Sequence, residues 1–308
     1  MSDKIYVVGH KNPDTDTVVS AIVTSYFLNK RDNTSIYTPV VTGAINSETQ
    51  FVFEKFNLTR PDIRLESTNH KLFLVDHNEL SQTIDGAKHE DVVGFIDHHK
   101  LKFESSSPLD ITIKPWGCTC TILYDLFMKE NIEIPQELKG PMLCAILSDT
   151  VITRSPTTTQ KDIDVIKTLS EDLKIEYKNL GLELFKAGAQ VSHKTPLEII
   201  QNDFKEFDIN GKKVGVGQIE TPDLKELDEK RRDILEAMEE MKKEMKYHSI
   251  ILMLTDIIEE GTILLVVSEH VDIFATMFHT NIQFNTSDFI PGMMSRKKQV
   301  APQLTEYL

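Results

Sequence analysis

Long apolar runs are missing from this 308-residue chain. None approaches the roughly 18 residues that a membrane span requires, and the N-terminus, MSDKIYVVGH, lacks the basic start and extended apolar stretch of a secretory signal. A cytoplasmic protein with no membrane partner is expected. Cysteine is scarce, at Cys118, Cys120 and Cys144 only. An odd number in a chain of this size fits reduced thiols rather than a disulfide framework, and Cys118-Thr119-Cys120 has the wrong spacing for a zinc ribbon. These thiols are expected to pack as small residues in a helix. Internal repeats and low-complexity tracts are also lacking. Positive charge is in deficit, with 34 Lys and Arg against 48 Asp and Glu and a formal net charge of −14. An acidic chain repels polyanions unless side chains or metal ions gather positive charge locally. Broad nucleic-acid binding is therefore disfavoured, and a phosphate substrate would need specific cations to hold it.

What is present is enough apolar material, 40% of residues, for folded cores and, by length, for roughly two domains. The first half alternates short apolar runs with helical patterns. Ile5-Tyr6-Val7-Val8, Leu72-Phe73-Leu74-Val75 and Val92-Val93-Gly94-Phe95-Ile96 are too short for helices and rich in strand-formers. Their unbroken apolar character is that of buried parallel strands. Helical patterns over about 17–28, 119–130 and 137–147 complete the alternation, which predicts an α/β fold with a doubly wound parallel sheet. From Thr159 the sequence is helical to about Ala187, and 188–194 loses periodicity before a helix start at Thr195-Pro196. The predicted organisation is an N-terminal domain over 1–187, a linker over 188–194 and a smaller C-terminal α/β domain over 195–308. Within the last, strands near 204–209 and 214–219 flank the hairpin signal Asn210-Gly211. A long charged helix near 223–246 and strands near 250–254 and 263–267 follow.

Three of the predicted strands end in the same chemistry. The first runs into Gly9-His10-Lys11-Asn12-Pro13-Asp14-Thr15-Asp16, the second into Asp76-His77-Asn78-Glu79, and the third into Asp97-His98-His99. The carboxyl ends of parallel strands line one edge of a sheet, where ligands bind, so the three clusters are expected to converge. Crowded carboxylates repel one another unless cations lie among them, which argues for bound metal. Imidazoles mixed with carboxylates suit manganese, iron, cobalt or zinc better than magnesium or calcium. Two ions roughly 3.5–4 Å apart and bridged by a carboxylate are a usual apparatus for phosphoryl transfer to water. Each cluster alone has a plainer reading: Asp14 and Asp16 could cap the helix beginning near Thr17, His99 could be a half-buried histidine, and Asp is common at strand ends. Their recurrence at three strand ends favours the metal.

These motifs resemble those of the family II inorganic pyrophosphatases, within the DHH phosphoesterase superfamily. The resemblance extends over nearly the whole chain, through Pro115-Trp116-Gly117-Cys118-Thr119, Ser148-Asp149-Thr150, Ser155-Pro156-Thr157 and the late Ser295-Arg296-Lys297-Lys298-Gln299. It implies an N-terminal DHH domain and a DHHA2-like C-terminal domain. It also implies one metal held by His10, Asp14 and Asp76 and a second held by Asp16, Asp76, His98 and Asp149, with Asp76 as the bridge. Asp149 as a ligand rests on the resemblance alone.

The implied activity is hydrolysis of pyrophosphate to two phosphates by in-line attack of a metal-bridging hydroxide, in a cytoplasmic homodimer with two Mn2+ or Co2+ per subunit and additional Mg2+ arriving with the substrate. His99 and Asp97 are the implied catalytic residues, His99 beside the metals and Asp97 orienting a histidine. Lys205, Arg296 and Lys297 join His99 in binding substrate and answer the charge deficit. Taken alone, the late basic motif could equally be a solvated run. If it forms a strand, Lys298 points to the opposite face. The acidic charge and the lack of an aromatic-rich basic groove argue against a nuclease of the superfamily. Two stretches depart from the commonest family pattern: Trp116 replaces a small aliphatic, and Val151-Ile152-Thr153-Arg154 precedes Ser155-Pro156.

Overall fold

A computed structural model of the chain describes residues 4–67, 70–189, 191 and 194–308, with Lys297 described by its backbone alone. Positions 190, 192 and 193 of the predicted linker therefore lie outside the described residues. The chain divides into two compact units, Met1–Gly188 and Ala189–Leu308.

The first unit runs β1 (Ile5–Val8), α1 (Thr15–Arg31), β2 (Tyr37–Val41), α2 (Ser47–Phe56), β3 (Asp62–Ile63), β4 (Lys71–Val75), β5 (Val92–Asp97), β6 (Asp110–Ile113), α3 (Thr119–Lys129), α4 (Gln136–Asp149), α5 (Gln160–Leu173) and α6 (Tyr177–Ala189). Its six strands are all parallel, in the order β3-β2-β1-β4-β5-β6. The strand order reverses between β1 and β4, and ligand crevices of open α/β sheets form at such a point. One face of the sheet buries Tyr6, Val8, Val40, Leu72, Leu74 and Phe95. The apolar runs thus form the three central strands, as both-face burial requires. Strands β2, β3 and β6 are additions to the sequence reading: Pro39 interrupts the first, the second is two residues long, and the third is a partly exposed edge.

Helix α1 begins where Asp14 caps it, the Asp14 side chain accepting from the backbone N–H of Thr17 at 2.9 Å. Asp16 in its first turn and Lys30 and Arg31 in its last complement the helix dipole. Gly9 is required at the end of β1, because a Cβ there would lie 2.2 Å from the Thr17 methyl. The stretch expected to be helical over 159–187 is two helices, α5 and α6, parted by Lys174 in the left-handed conformation. Helix α6 continues through Ala189, into the expected linker.

The second unit contains α7 (Pro196–Gln201), β7 (Phe204–Ile209), β8 (Lys212–Thr221), α8 (Arg231–Glu244), β9 (Ser249–Asp256), β10 (Gly261–Ser268), α9 (Val271–Met277), β11 (Ile282–Gln283), β12 (Thr286–Ser287), β13 (Ile290–Pro291) and α10 (Ala301–Tyr307). Its sheet order is β11-β12-β10-β9-β8-β7, with β13 also on β10 and only the β8–β9 pair parallel. Asn210 and Gly211 make the β7–β8 hairpin turn with positive φ of 52° and 78°, as a turn of mirror-image type demands. Strand β9 is buried at every residue. Ile250, Leu252 and Leu254 join a core with Ile234 and Met238 of α8, while Ile251 and Met253 join another with Phe274 of α9 and Leu304 of α10.

Two expectations for this unit are corrected. The charged helix expected over 223–246 is shorter, because Asp223 caps a separate 3-10 turn, Leu224–Leu227, and Lys246 leaves the far end in the left-handed region. The late basic motif is not a strand: Arg296–Val300 is a single helical turn, capped by Ser295, whose side chain accepts from the Lys298 N–H. Strand alternation therefore cannot decide the facing of Lys298, which is exposed. Among the described residues, no helix is long and apolar enough to cross a membrane.

Candidate active site

The carboxyl ends of the three adjacent strands β1, β4 and β5 present His10, Asp76 and His98. Asp76 leaves β4 with a positive φ of 60°. This conformation costs a non-glycine residue about 1–3 kcal/mol and concentrates at functional sites. Its N–H donates to the Ile96 carbonyl at 3.0 Å, tying the bend to the neighbouring strand. The side chain is 3% exposed. One of its oxygens lies 3.4 Å from His10 Nε2 and the other 3.2 Å from His98 Nε2. Asp14 Oδ2 stands 3.3 Å from His10 Nε2, and Asp149, the last residue of α4, places Oδ2 3.9 Å from His98 Nε2. Asp14 thus caps α1 with one oxygen and faces His10 with the other.

Among the donor groups that result, His10, Asp14 and Asp76 form one and Asp16, Asp76, His98 and Asp149 another, in each of which the potential ligand atoms lie within 4.8 Å of one another; a third sets Asp76 and His98 with His99. Asp76 belongs to all three. His10 Nδ1 is 2.8 Å from the Lys11 carbonyl and His98 Nδ1 is 3.0 Å from the Trp116 carbonyl. A carbonyl can only accept, so each Nδ1 carries hydrogen, which leaves Nε2, the nitrogen on the side of the carboxylates, as the atom that would ligate a metal ion. Asp149 Oδ2 is buried with no hydrogen-bond partner, a cost relieved by a cation. The chemistry of the donors therefore fits two divalent ions sharing a carboxylate.

The ionisation of these groups points the same way. Burial pushes Asp16 and Asp149 up, reinforced by the neighbouring carboxylates. Burial would also raise Asp76, but its hydrogen bonds to His10 and His98 hold it well below the usual carboxylate range. Burial by itself would lower both imidazoles, yet Asp14 and Asp76 push His10 up to about 11, and Asp76 with Asp16 pushes His98 up to about 9. The cluster thus draws protons where metal ions would supply the same positive charge. His77 belongs to none of these groups. Its Nδ1 lies 2.8 Å from the Val75 carbonyl, and burial takes its pKa down to about 4.

Supporting residues lie on other elements. Thr17 and Thr119 hydroxyls donate to the two oxygens of Asp76 at 2.6 and 3.2 Å. Asp16 accepts from the Ser20 hydroxyl at 2.9 Å and the Thr119 N–H at 2.8 Å. Buried Asp162 accepts from the Gly117 N–H at 2.9 Å and from Thr121 and Thr159, and so fixes the loop whose Trp116 carbonyl sets the tautomer of His98. Glu48 accepts from Thr15 and from Ser148, linking the start of α1 to the end of α4, and burial raises its pKa. Neither Asp162 nor Glu48 was among the residues expected at the site. A signal for Asp162 existed, since Thr159 and Asp162 have capping-box spacing. Trp116 meets the site through its backbone carbonyl, while its ring receives the Lys161 ammonium at 5.4 Å.

Above the donors lies a cavity of about 270 Å³, lined by His10, Asp14, His98, His99, Asp149 and Thr157, among others. That is several times the ~30 Å³ share of a liquid water. His99 borders it, and buried Asp97 receives both the N–H and ring Nδ1 of His99 at 2.9 Å. Asn78 donates to the other Asp97 oxygen at 2.6 Å. Of the expected cations in the second unit, Lys205 is exposed on β7. Arg296 is paired with Asp203, 2.9 Å from its Oδ2, and also donates to the Asp203 and Val216 carbonyls. The Lys297 side chain lies outside the described residues.

Two family models match the chain, "DHH family, N-terminal domain" over residues 4–146 and "DHHA2 domain" over residues 182–307. A manganese-dependent inorganic pyrophosphatase of Methanocaldococcus jannaschii is 42% identical, with 97% of each chain covered. One of Methanothrix thermoacetophila is 39% identical, over 99% of this chain and 98% of the relative. A crystal structure from Methanococcus jannaschii, provisionally assigned as a family II inorganic pyrophosphatase, covers 98% of each chain at 40% identity with a TM-score of 0.60. An exopolyphosphatase-related protein of Bacteroides fragilis, at 15% identity and a TM-score of 0.50, shares the fold. With both domain models in order and such identity along its whole length, the chain belongs to the family II, manganese-dependent inorganic pyrophosphatases.

Proposed function

We propose that this protein hydrolyses pyrophosphate to two phosphates at a dinuclear site, with His10, Asp14 and Asp76 holding one ion and Asp16, Asp76, His98 and Asp149 the other. The observation that carries this reading is the sharing of Asp76 between two donor groups, each with one imidazole whose Nδ1 is committed to a carbonyl. Imidazole with several carboxylates favours Mn2+ or Co2+ over Mg2+ at these positions, in keeping with the names of the relatives. Additional Mg2+ accompanies the substrate. When bound, the two ions act as Lewis acids that lower the pKa of a water for in-line attack on phosphorus and neutralise the charge that develops.

The chain's own residues supply orientation, cations and a proton. His99, held by Asp97, donates a proton to the leaving phosphate. Arg296 offers a planar fork to phosphate oxygens, and Lys205 and Lys297 act as point charges. To serve substrate, Arg296 exchanges its Asp203 carboxylate for phosphate. These cations let a chain of net charge −14 accept a polyanion. The reading extends to a cytoplasmic homodimer acting without nucleic-acid or membrane partners. Phosphate release from pyrophosphate and from tripolyphosphate, with metal analysis of the same sample, tests it. Faster release from tripolyphosphate, or activity without a bound transition metal, would overturn it.

A further inference from the structure

Behind the proposed metal pair lies a group of donors with a different chemistry. Cys118 caps α3 and Cys120 lies in its first turn; both are free and wholly buried. Their Sγ atoms and an oxygen of Asp16 all lie within 4.8 Å of one another. The Cys120 N–H donates to Asp16 Oδ1 at 3.2 Å, and the Ser20 hydroxyl lies 3.3 Å from Cys120 Sγ and donates to the same Asp16 oxygen. Asp16 therefore belongs to two donor groups, one with Asp76, His98 and Asp149 and one with the two sulfurs. Gly117, one residue before Cys118, lines the cavity.

We propose that Asp16, Cys118 and Cys120 form a second, thiophilic metal site that captures a soft divalent d10 ion such as Cd2+. Binding breaks two S–H bonds and forms two sulfur–metal bonds, the two protons pass to solvent, and the Asp16 carboxylate supplies a third donor. Hard ions gain little from thiolate, so Mn2+ and Mg2+ remain with the oxygen and nitrogen donors, while Cd2+ partitions to sulfur. Because Asp16 is shared, capture by the thiols withdraws a ligand from the proposed catalytic pair. Soft-metal inhibition through this route rests on the dinuclear reading; the existence of the thiol site does not.

Cadmium titration of the manganese-loaded full-length protein tests both parts. The expected result is a thiolate-to-cadmium ultraviolet charge-transfer band that saturates at one ion per chain, persists in Cys144→Ser and is lost in Cys118→Ser and Cys120→Ser. Relative to each protein's own activity, the two serine variants should be about tenfold or more less sensitive to Cd2+ than the unaltered chain. Absence of the band from the unaltered protein, a measurement that needs no variant to fold, overturns the site. Persistence of the band when Cys118→Ser and Cys120→Ser are combined does the same. A normal band with unchanged activity keeps the site and refutes the sharing of Asp16.

Discussion

Asp97 and His99 are joined twice through a single oxygen, which accepts the backbone N–H and the ring Nδ1–H of His99, each at 2.9 Å. The carboxylate is fully buried and the imidazole 55% exposed, so the fixed partner lies inside and the ring borders the cavity. This bond, opposed by burial, raises the pKa of His99. Asp97→Asn should lower kcat about 10–100-fold with metal content unchanged. The basic limb of the pH profile should move to lower pH, because the imidazolium loses its anionic partner. An unmoved profile would show that Asp97 only supports the fold.

Metal analysis distinguishes the shared carboxylate from the unshared one. Asp76→Ala should lower occupancy of both ions, whereas Asp149→Ala should mainly affect one. Chelation should abolish activity, and Mn2+ or Co2+ should restore it better than Mg2+ alone. Equal metal content in Asp76→Ala and the unaltered protein would refute the bridge.

The metal-free protein should respond to pH in the opposite sense from the loaded one. His98 at about 9 and His10 at about 11 are raised above their ordinary value of 6.5. A raised group contributes stability that is fully present below its unfolded pKa and lost as pH rises through its folded one. Burial and like charge raise Asp16 and Asp149, which adds the same sign. The chelated protein should therefore melt at lower temperature at pH 9 than at pH 6.5. Metal should reverse the trend, since it binds the deprotonated donors. A chelated Tm independent of pH across this window would contradict the cluster described.

For the second unit, Arg296→Ala should leave metal content intact and cost about 1.5–3 kcal/mol in kcat/KM, the range for a charge-assisted hydrogen bond. Arg296→Lys should rescue only part of the loss, since an ammonium lacks the planar fork. Lys298→Ala, at an exposed position on the helical turn, should be nearly silent. Steady-state kinetics on the three variants would decide, and a silent Arg296→Ala would remove this residue from the mechanism.

Beginning two residues after Asp149, Val151, Ile152 and Thr153 have φ of 48°, 52° and 71°. Three consecutive β-branched residues in the left-handed region are strained, at about 1–3 kcal/mol each. Thr153→Gly should stabilise the fold by about 1 kcal/mol, the strain relieved less the entropy glycine loses on folding. It should also weaken binding of the ion proposed for Asp149, because the segment after that residue becomes more mobile. Denaturant melts and metal titration would measure both, and a destabilised variant would show that the turn is not under strain.

The central strands were legible because both-face burial writes an unbroken apolar run, and parallel strands then bring the residues at their carboxyl ends together. Strand β2 was hidden by Pro39, and the shortened α8 by the 3-10 turn that Asp223 caps. The motif at 295–299 misled differently. Five polar residues carry no period, and only the Ser295 cap and the turn that follows decide that it is helical.

The sequence by itself determined the α/β class, the strand-end positions of His10, Asp76 and His98, and the hairpin at Asn210-Gly211, because these depend on local periodicity, turn chemistry and residue type. Only the tertiary structure decided that Asp149 on a helix end joins Asp16 and His98, that Asp162 fixes the loop orienting His98, that Arg296 is held by Asp203, and that Cys118 and Cys120 face Asp16. Each of these joins residues remote in sequence through packing and hydrogen bonds, which leave no period or spacing in the chain to read.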